Sequence, residues 1–169
     1  DAALAAELSR KAESTKEHIP GLMPYPDFFL YNTLAFAARA PDALPEERAE
    51  LLAGIDRNLE RMTVWAGVCP ENFQHRLLLM RALGNLMSNA FKHAPAGTQV
   101  RVALKRADGQ IRLSVSDRGP GLPLDMRVRL FQRFATGAVR KGNGLGLAMV
   151  ARVARVHEAR IQVDSELGH

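Results

Sequence analysis

The chain has 169 residues, 47% hydrophobic and 24% charged, enough to bury a sizeable core and too apolar for wholesale disorder, a collagen or a rod. Its one cysteine, Cys69, cannot form an internal disulfide; no Cys/His cluster has zinc-ligand spacing, and no stretch nears the roughly 20 apolar residues of a membrane helix. The net charge of +5 is uneven: residues 101–160 hold 13 basic and 4 acidic residues, a net +9, which suits nucleic acid, a phosphorylated small molecule or an acidic protein surface, or else a solvated basic face.

From Ala2 to about His18, Leu4, Leu8 and Ala12 recur every fourth residue among charges and predict an amphipathic helix, not a signal peptide. Pro20, Gly21, Pro24 and Pro26 break it. A second helix is predicted from Asp27 to Ala40, ending at Pro41. A third opens at Leu44 and Pro45, with Leu51, Leu52, Ile55, Leu59 and Met62 on one face. The short link between them makes an αα-hairpin, whose apolar surface suits a dimeric four-helix bundle.

No element is legible from residue 63 to 73. From Gln74 to His93 a strong helix carries Leu77, Leu78, Ala82, Leu86 and Ala90 on one side. The period then switches to two: Val100, Val102 and Leu104, then Ile111, Leu113 and Val115, form two strands around the turn signal Asp108-Gly109. Residues 118–143 read as a long loop with one helical turn, Gly144 to about Glu158 as a helix, and Arg160 to Asp164 as a last strand. The class is α+β, with domains at 1–65 (helical) and 66–169 (an α/β sandwich).

Four clusters carry chemistry. Asn85 and Asn89, four apart, share a helix face with Lys92 one turn on; amide oxygens are hard ligands suited to Mg2+ shared with phosphates. Asp117-Arg118-Gly119-Pro120-Gly121 follows a strand, so a carboxylate can accept from a base amino group while glycine backbone comes close. Phe131-Gln132-Arg133-Phe134 sets two aromatics in the loop. Gly142-Asn143-Gly144-Leu145-Gly146-Leu147 opens a helix, where exposed N–H groups favour phosphate. Taken singly, each reads equally well as a turn or a piece of core; their order and spacing together do not.

The set resembles the ATP-binding catalytic domain of sensor histidine kinases, in the ATPase family shared with gyrase B, Hsp90 and MutL. Leu83-Gly84-Asn85-Leu86-Met87-Ser88-Asn89-Ala90-Phe91-Lys92-His93 is similar to the family's N box, and Asp117 to Pro123 to its first glycine box. Phe131 to Phe134 is similar to its F box, and Gly142 to Leu147 to its second glycine box. The resemblance spans about residues 75–169. It implies that Asn89 and Asn85 hold Mg2+ on the ATP phosphates, with Lys92 near a phosphate. It implies that Asp117 takes the adenine amino group, with Gly119 and Gly121 shaping the pocket. Residues 122–141 become a lid packed by Phe131 and Phe134. Gly142, Gly144, Leu145 and Gly146 form the hinge and phosphate-facing helix start, and Arg133 or Arg140 reaches the γ-phosphate. The basic excess then has its ligand in the nucleotide, and nucleic acid recedes.

The resemblance further implies transfer of the γ-phosphate to a histidine, relay to a response regulator, a homodimer through residues 27–62, and a cytoplasmic location, alone or as the cytoplasmic part of a membrane sensor. The usual acceptor box is absent. Phe28-Phe29-Leu30-Tyr31-Asn32-Thr33-Leu34 resembles instead the His-Phe-Leu-Tyr-Asn box of another kinase subclass, with Phe28 at the acceptor position. His18, His75, His93 and His157 read as ordinary surface or structural histidines. Relatives place one or more strands between the hairpin and the N box, and a closing strand after position 169. A nucleotide-binding module that regulates a partner kinase or response regulator without autophosphorylation is the alternative; an anti-sigma serine kinase of the same ATPase family is weakened by the F box and the hairpin.

Overall fold

The computed structural model describes residues 25–95, 98–107, 109–132 and 145–167; the helix expected over 2–18 lies outside them. Helix α1 is Tyr25–Arg39, with Asp27 in its first turn and Arg39 in its last, each favourable to the helix dipole. A 3-10 turn, Ala40–Asp42, follows because Pro41 cannot continue the α ladder. Arg48 ties this corner. Its Nε donates to the Ala40 carbonyl at 3.0 Å and its Nη2 to those of Pro41 and Ala43 at 3.2 and 3.1 Å, satisfying carbonyls that the ended helix leaves open.

Helix α2 is Pro45–Val68, with Pro at its start and Glu46 and Glu47 in the first turn. Helix α3 is Pro70–His93. The stretch 63–73, in which the sequence pattern gives no element, is therefore helical on both sides of Cys69. Thr63, Val64, Gly67 and Val68 are weak helix formers, but tertiary packing overrides them: Trp65 meets Phe29 edge-on at 5.3 Å between centroids, and Phe73 at 5.9 Å. Pro70 sets the break, since the residue before a proline is pushed from the α region, and Cys69 has φ −139° and ψ 81°.

The chain divides into two compact units, Asp1–Met80 with Arg101–Ser114, and Arg81–Val100 with Val115–His169. The core of the first gathers Phe29, Met62, Ala66, Leu77 and Met80, flanked by Phe28, Leu30, Leu59, Trp65 and Phe73. The α1–α2 crossing is close: a Cβ on Gly54 would lie 2.5 Å from the Phe36 ring. Beside it is a polar layer. Asn58 Nδ2 donates to Thr33 Oγ1 at 3.2 Å, both side chains buried, while both amide atoms of buried Asn32 lack a partner. Arg76 Nε donates to Asp27 Oδ1 at 2.6 Å, joining the starts of α1 and α3.

Strands β1 (Arg101–Ala107) and β2 (Gln110–Ser116) pair as a two-stranded antiparallel sheet. Strand β1 starts one residue after Val100 and runs past Leu104, β2 extends one residue beyond Ile111 and Val115 at each end, and Gly109 at the turn has φ +74°. The expected inward set is only half realised: Val100 and Val102 are buried, but Leu104 is 51% and Ile111 74% exposed.

In the second unit, Leu83, Met87 and Ala90 of α3 are buried, as are Val150 and Val153 of helix α5, Gly146–Val156. A short helix α4, Leu124–Arg129, supplies the helical turn expected in the loop. The strand expected over Arg160–Asp164 does not form. Those residues carry no ladder partner, and a strand is defined by one; Glu158 turns the chain at φ +51°, and Gln162 Nε2 donates to its neighbour Asp164 instead. The architecture is α+β: a helical hairpin, a long helix, a small antiparallel sheet and a final helix.

Candidate nucleotide site

The site is built within the second unit from the end of α3, the turn after β2 and the start of α5. Asn85 and Asn89 fall on one face of α3 because they are one turn apart, and both are half-buried. Lys92 is exposed in the last helical turn, where a cation suits the dipole. Gly146 opens α5 directly against Asn85: a Cβ there would lie 3.2 Å from Asn85 Oδ1. Of the Gly142–Leu147 motif, Gly146 thus lies beside Asn85 of the Leu83–His93 motif.

After β2 the chain makes a tight turn. Gly119 N–H donates to Asp117 Oδ1 at 2.8 Å, which holds the carboxylate in place and leaves Oδ2 for another donor. A Cβ on Gly119 would lie 2.6 Å from Asp117 Oδ1 and 3.2 Å from the His93 carbonyl oxygen, so the turn is seated on the end of α3. Gly121 has φ +75°, and a Cβ there would overlap the Glu166 backbone. Two residues outside the motifs hold this turn. Ser165 Oγ accepts from Leu122 N–H at 2.8 Å; Arg127 donates from Nε to the Leu122 carbonyl at 3.1 Å and from its guanidinium to the Ser165 carbonyl. No spacing rule marks Ser165 or Arg127, because their role exists only once the C-terminal segment lies beside the turn.

Phe131 is half-buried and Leu145 is 46% exposed at the α5 N-cap. Arg133, Phe134, Gly142 and Gly144 lie outside the described residues.

The donors fit a nucleotide with a hard divalent ion. Among the described residues no group of three His, Cys, Asp or Glu could bind a metal by itself. Two amide oxygens on one face are the incomplete set that suits Mg2+ when phosphate oxygens supply the rest. The Gly146 cradle keeps side-chain bulk away from Asn85, and the free lobe of Asp117 can accept from an exocyclic amine.

A model of the family described as histidine kinase-, DNA gyrase B-, and HSP90-like ATPase matches residues 74–169. The sensor-like histidine kinase SenX3 of Mycolicibacterium smegmatis is 40% identical over 96 residues, covering 54% of this chain and 25% of that protein. The sensor protein DivL of Caulobacter vibrioides is 38% identical over 91 residues, covering 54% of this chain and 12% of that protein. Among solved structures, a mycobacterial sensor histidine kinase MprB aligns at 32% identity with a TM-score of 0.47, over 62% of this chain and 76% of that one. The chain spans a quarter or less of the length of these two curated relatives.

Proposed function

Because the chain belongs to the histidine kinase-, DNA gyrase B- and HSP90-like ATPase family, we propose that it is the ATP-binding core of a two-component sensor histidine kinase. In this reading it directs the ATP γ-phosphate to a histidine for relay to a response regulator, with residues 66–169 as the catalytic domain and residues 27–62 joining two copies. The observation that carries it is the seating of Gly146 on Asn85 with Asp117 locked by Gly119, which places the amide face and the carboxylate turn in one unit.

The residues divide the work. Asn85 and Asn89 offer amide oxygens to Mg2+, which when bound neutralises phosphate charge. Lys92 adds a cation for a phosphate oxygen. Asp117 accepts from the adenine amino group, Gly119 and Gly121 bring backbone against the base, and the α5 start presents N–H groups to phosphate. The family reading also gives Phe131 and Phe134 the packing of the segment over the nucleotide, Arg133 a phosphate contact, and Gly142, Gly144 and Leu145 the hinge; of these only Phe131 and Leu145 are among the described residues. The Asn85 oxygen and Gly146 hold the phosphate end; Asp117 holds the base end.

One residue favours the second reading, a nucleotide-binding regulator that does not phosphorylate itself. Phe28, at the position where a hairpin acceptor would stand, packs edge-on against Phe29 at 5.4 Å, and phenylalanine has no nucleophile. Incubation with Mg·ATP followed by intact-mass measurement separates the two. The kinase reading expects one added phosphate, lost in acid and kept in base. The regulator reading expects none while ATP still raises the melting temperature. At a ligand concentration 100 times Kd, linkage stabilises the folded state by about 2.7 kcal/mol; no thermal shift with ATP sinks both.

A further inference from the structure

The C-terminal segment is exposed along its length, and from Arg155 to Leu167 only Ser165 is half-buried. No ladder pairs it among the described residues, so side chains must seat it. Ser165 does so against the turn after β2: its Oγ accepts from Leu122 N–H at 2.8 Å, and its carbonyl accepts from Arg127 Nη2. Arg127 Nε donates to the Leu122 carbonyl at 3.1 Å, so one half-buried guanidinium holds both stretches of chain. Nε–H and Nη2–H lie along one edge of the planar guanidinium, at a spacing fixed by its bonds. Arg127 thereby sets the turn and the C-terminal segment against each other. All of these residues belong to the second unit.

Gly121, next to the clamped Leu122, has φ +75° and lies so close to Glu166 that a Cβ would overlap that residue's backbone. Gly119 N–H in turn holds Asp117 Oδ1 at 2.8 Å. A shift at Leu122 is therefore passed along residues 119–121 to the Asp117 carboxylate, with no slack at Gly121 to absorb it. We propose that Arg127 is a positioning residue for the base end of the site: by clamping Leu122 to Ser165 it sets where Asp117 Oδ2 points, and so the affinity for a ligand's amino group. The inference rests on the nucleotide reading and adds to it a residue that lies in none of the four motifs.

The test combines calorimetric titration with Mg·ADP and amide hydrogen exchange without ligand, both on the full chain well below its melting temperature. Arg127→Gln, which removes the fork, should weaken ADP binding at least tenfold. It should also speed exchange at Gly119 and Leu122 at least tenfold, while the amides of α3 and α5 exchange as in the parent chain. Arg127→Lys, which can reach only one carbonyl at a time, should fall between the two. Ser165→Ala leaves the guanidinium in place and removes only the partner of Leu122 N–H. It should weaken ADP binding at least threefold, and it carries the test if Arg127→Gln does not fold. Unchanged ADP affinity in these variants overturns the assignment. So does weaker binding with exchange at Gly119 unaltered, which makes Arg127 a direct ligand contact, or faster exchange throughout α3 and α5, which makes it a general stabiliser. A parent chain that binds no ADP overturns the nucleotide reading itself.

Discussion

Asp117 shows how one side chain serves two needs. Its Oδ1 accepts from Gly119 N–H and fixes the turn, which leaves the other oxygen to accept from a ligand donor. Asp117→Asn keeps an oxygen for Gly119 but substitutes a donor for the free acceptor. We expect intact folding with nucleotide affinity lower by about 1.5–3 kcal/mol, a factor of roughly 10–150 by calorimetric titration. Gly121 and Gly109 make a matched pair with nearly the same φ, +75° and +74°. A Cβ at Gly109 meets open space; at Gly121 it meets the Glu166 backbone. Gly109→Ala should therefore lose about 1 kcal/mol in urea unfolding, the cost of the left-handed backbone alone, and Gly121→Ala at least twice that. Motif spacing marks Gly121 and Asp117 as a site; it cannot show that Ser165 and Arg127 hold them, since those contacts join positions about forty residues apart.

At the scale of elements, the α1–α2 hairpin is defined by one close approach and one polar layer. Gly54→Ala would drive a methyl into the Phe36 ring, and because that ring can shift only partly in a packed core we expect about 1–3 kcal/mol of destabilisation by chemical denaturation. Asn32 lies buried with its amide unmatched, so Asn32→Leu, which keeps the branched heavy-atom frame and removes the polar atoms, should raise stability by about 1–3 kcal/mol. Unchanged stability would mean the amide finds a partner in solution. The hairpin was legible from proline positions and from Leu51, Ile55 and Met62, all buried as the period requires. The end of α2 and the start of α3, over 63–73, were not, because their residues favour helix poorly and are held by Trp65, Phe29 and Phe73. The converse holds for Arg160–Asp164: a strand-like composition without a neighbouring strand stays unpaired.

For the whole molecule, the expectation is a pair of chains joined by the hairpin. Tyr31 and Val64, 64% and 63% exposed on α1 and α2, leave apolar surface there in one copy. Sedimentation equilibrium should give twice the chain mass, falling to one chain when both residues are changed to Glu. A monomer in the parent protein would remove the hairpin as the joining element. No described helix is long and apolar enough to cross a membrane.

Local chemistry is what the sequence by itself determined: which stretches coil, where prolines stop them, which turn needs glycine, and that paired amides, a carboxylate turn and a glycine-opened helix belong to a nucleotide ATPase family. Those properties depend on neighbours within a few residues, so they are written in spacing. Tertiary structure alone decided the seating of Gly146 on Asn85, the bracing of the carboxylate turn by Ser165 and Arg127, the unpaired C-terminal segment, and the Asp27–Arg76 pair that joins the starts of α1 and α3. Each depends on which distant segments meet, and contact energies across such distances leave no period in the chain for a reader to find.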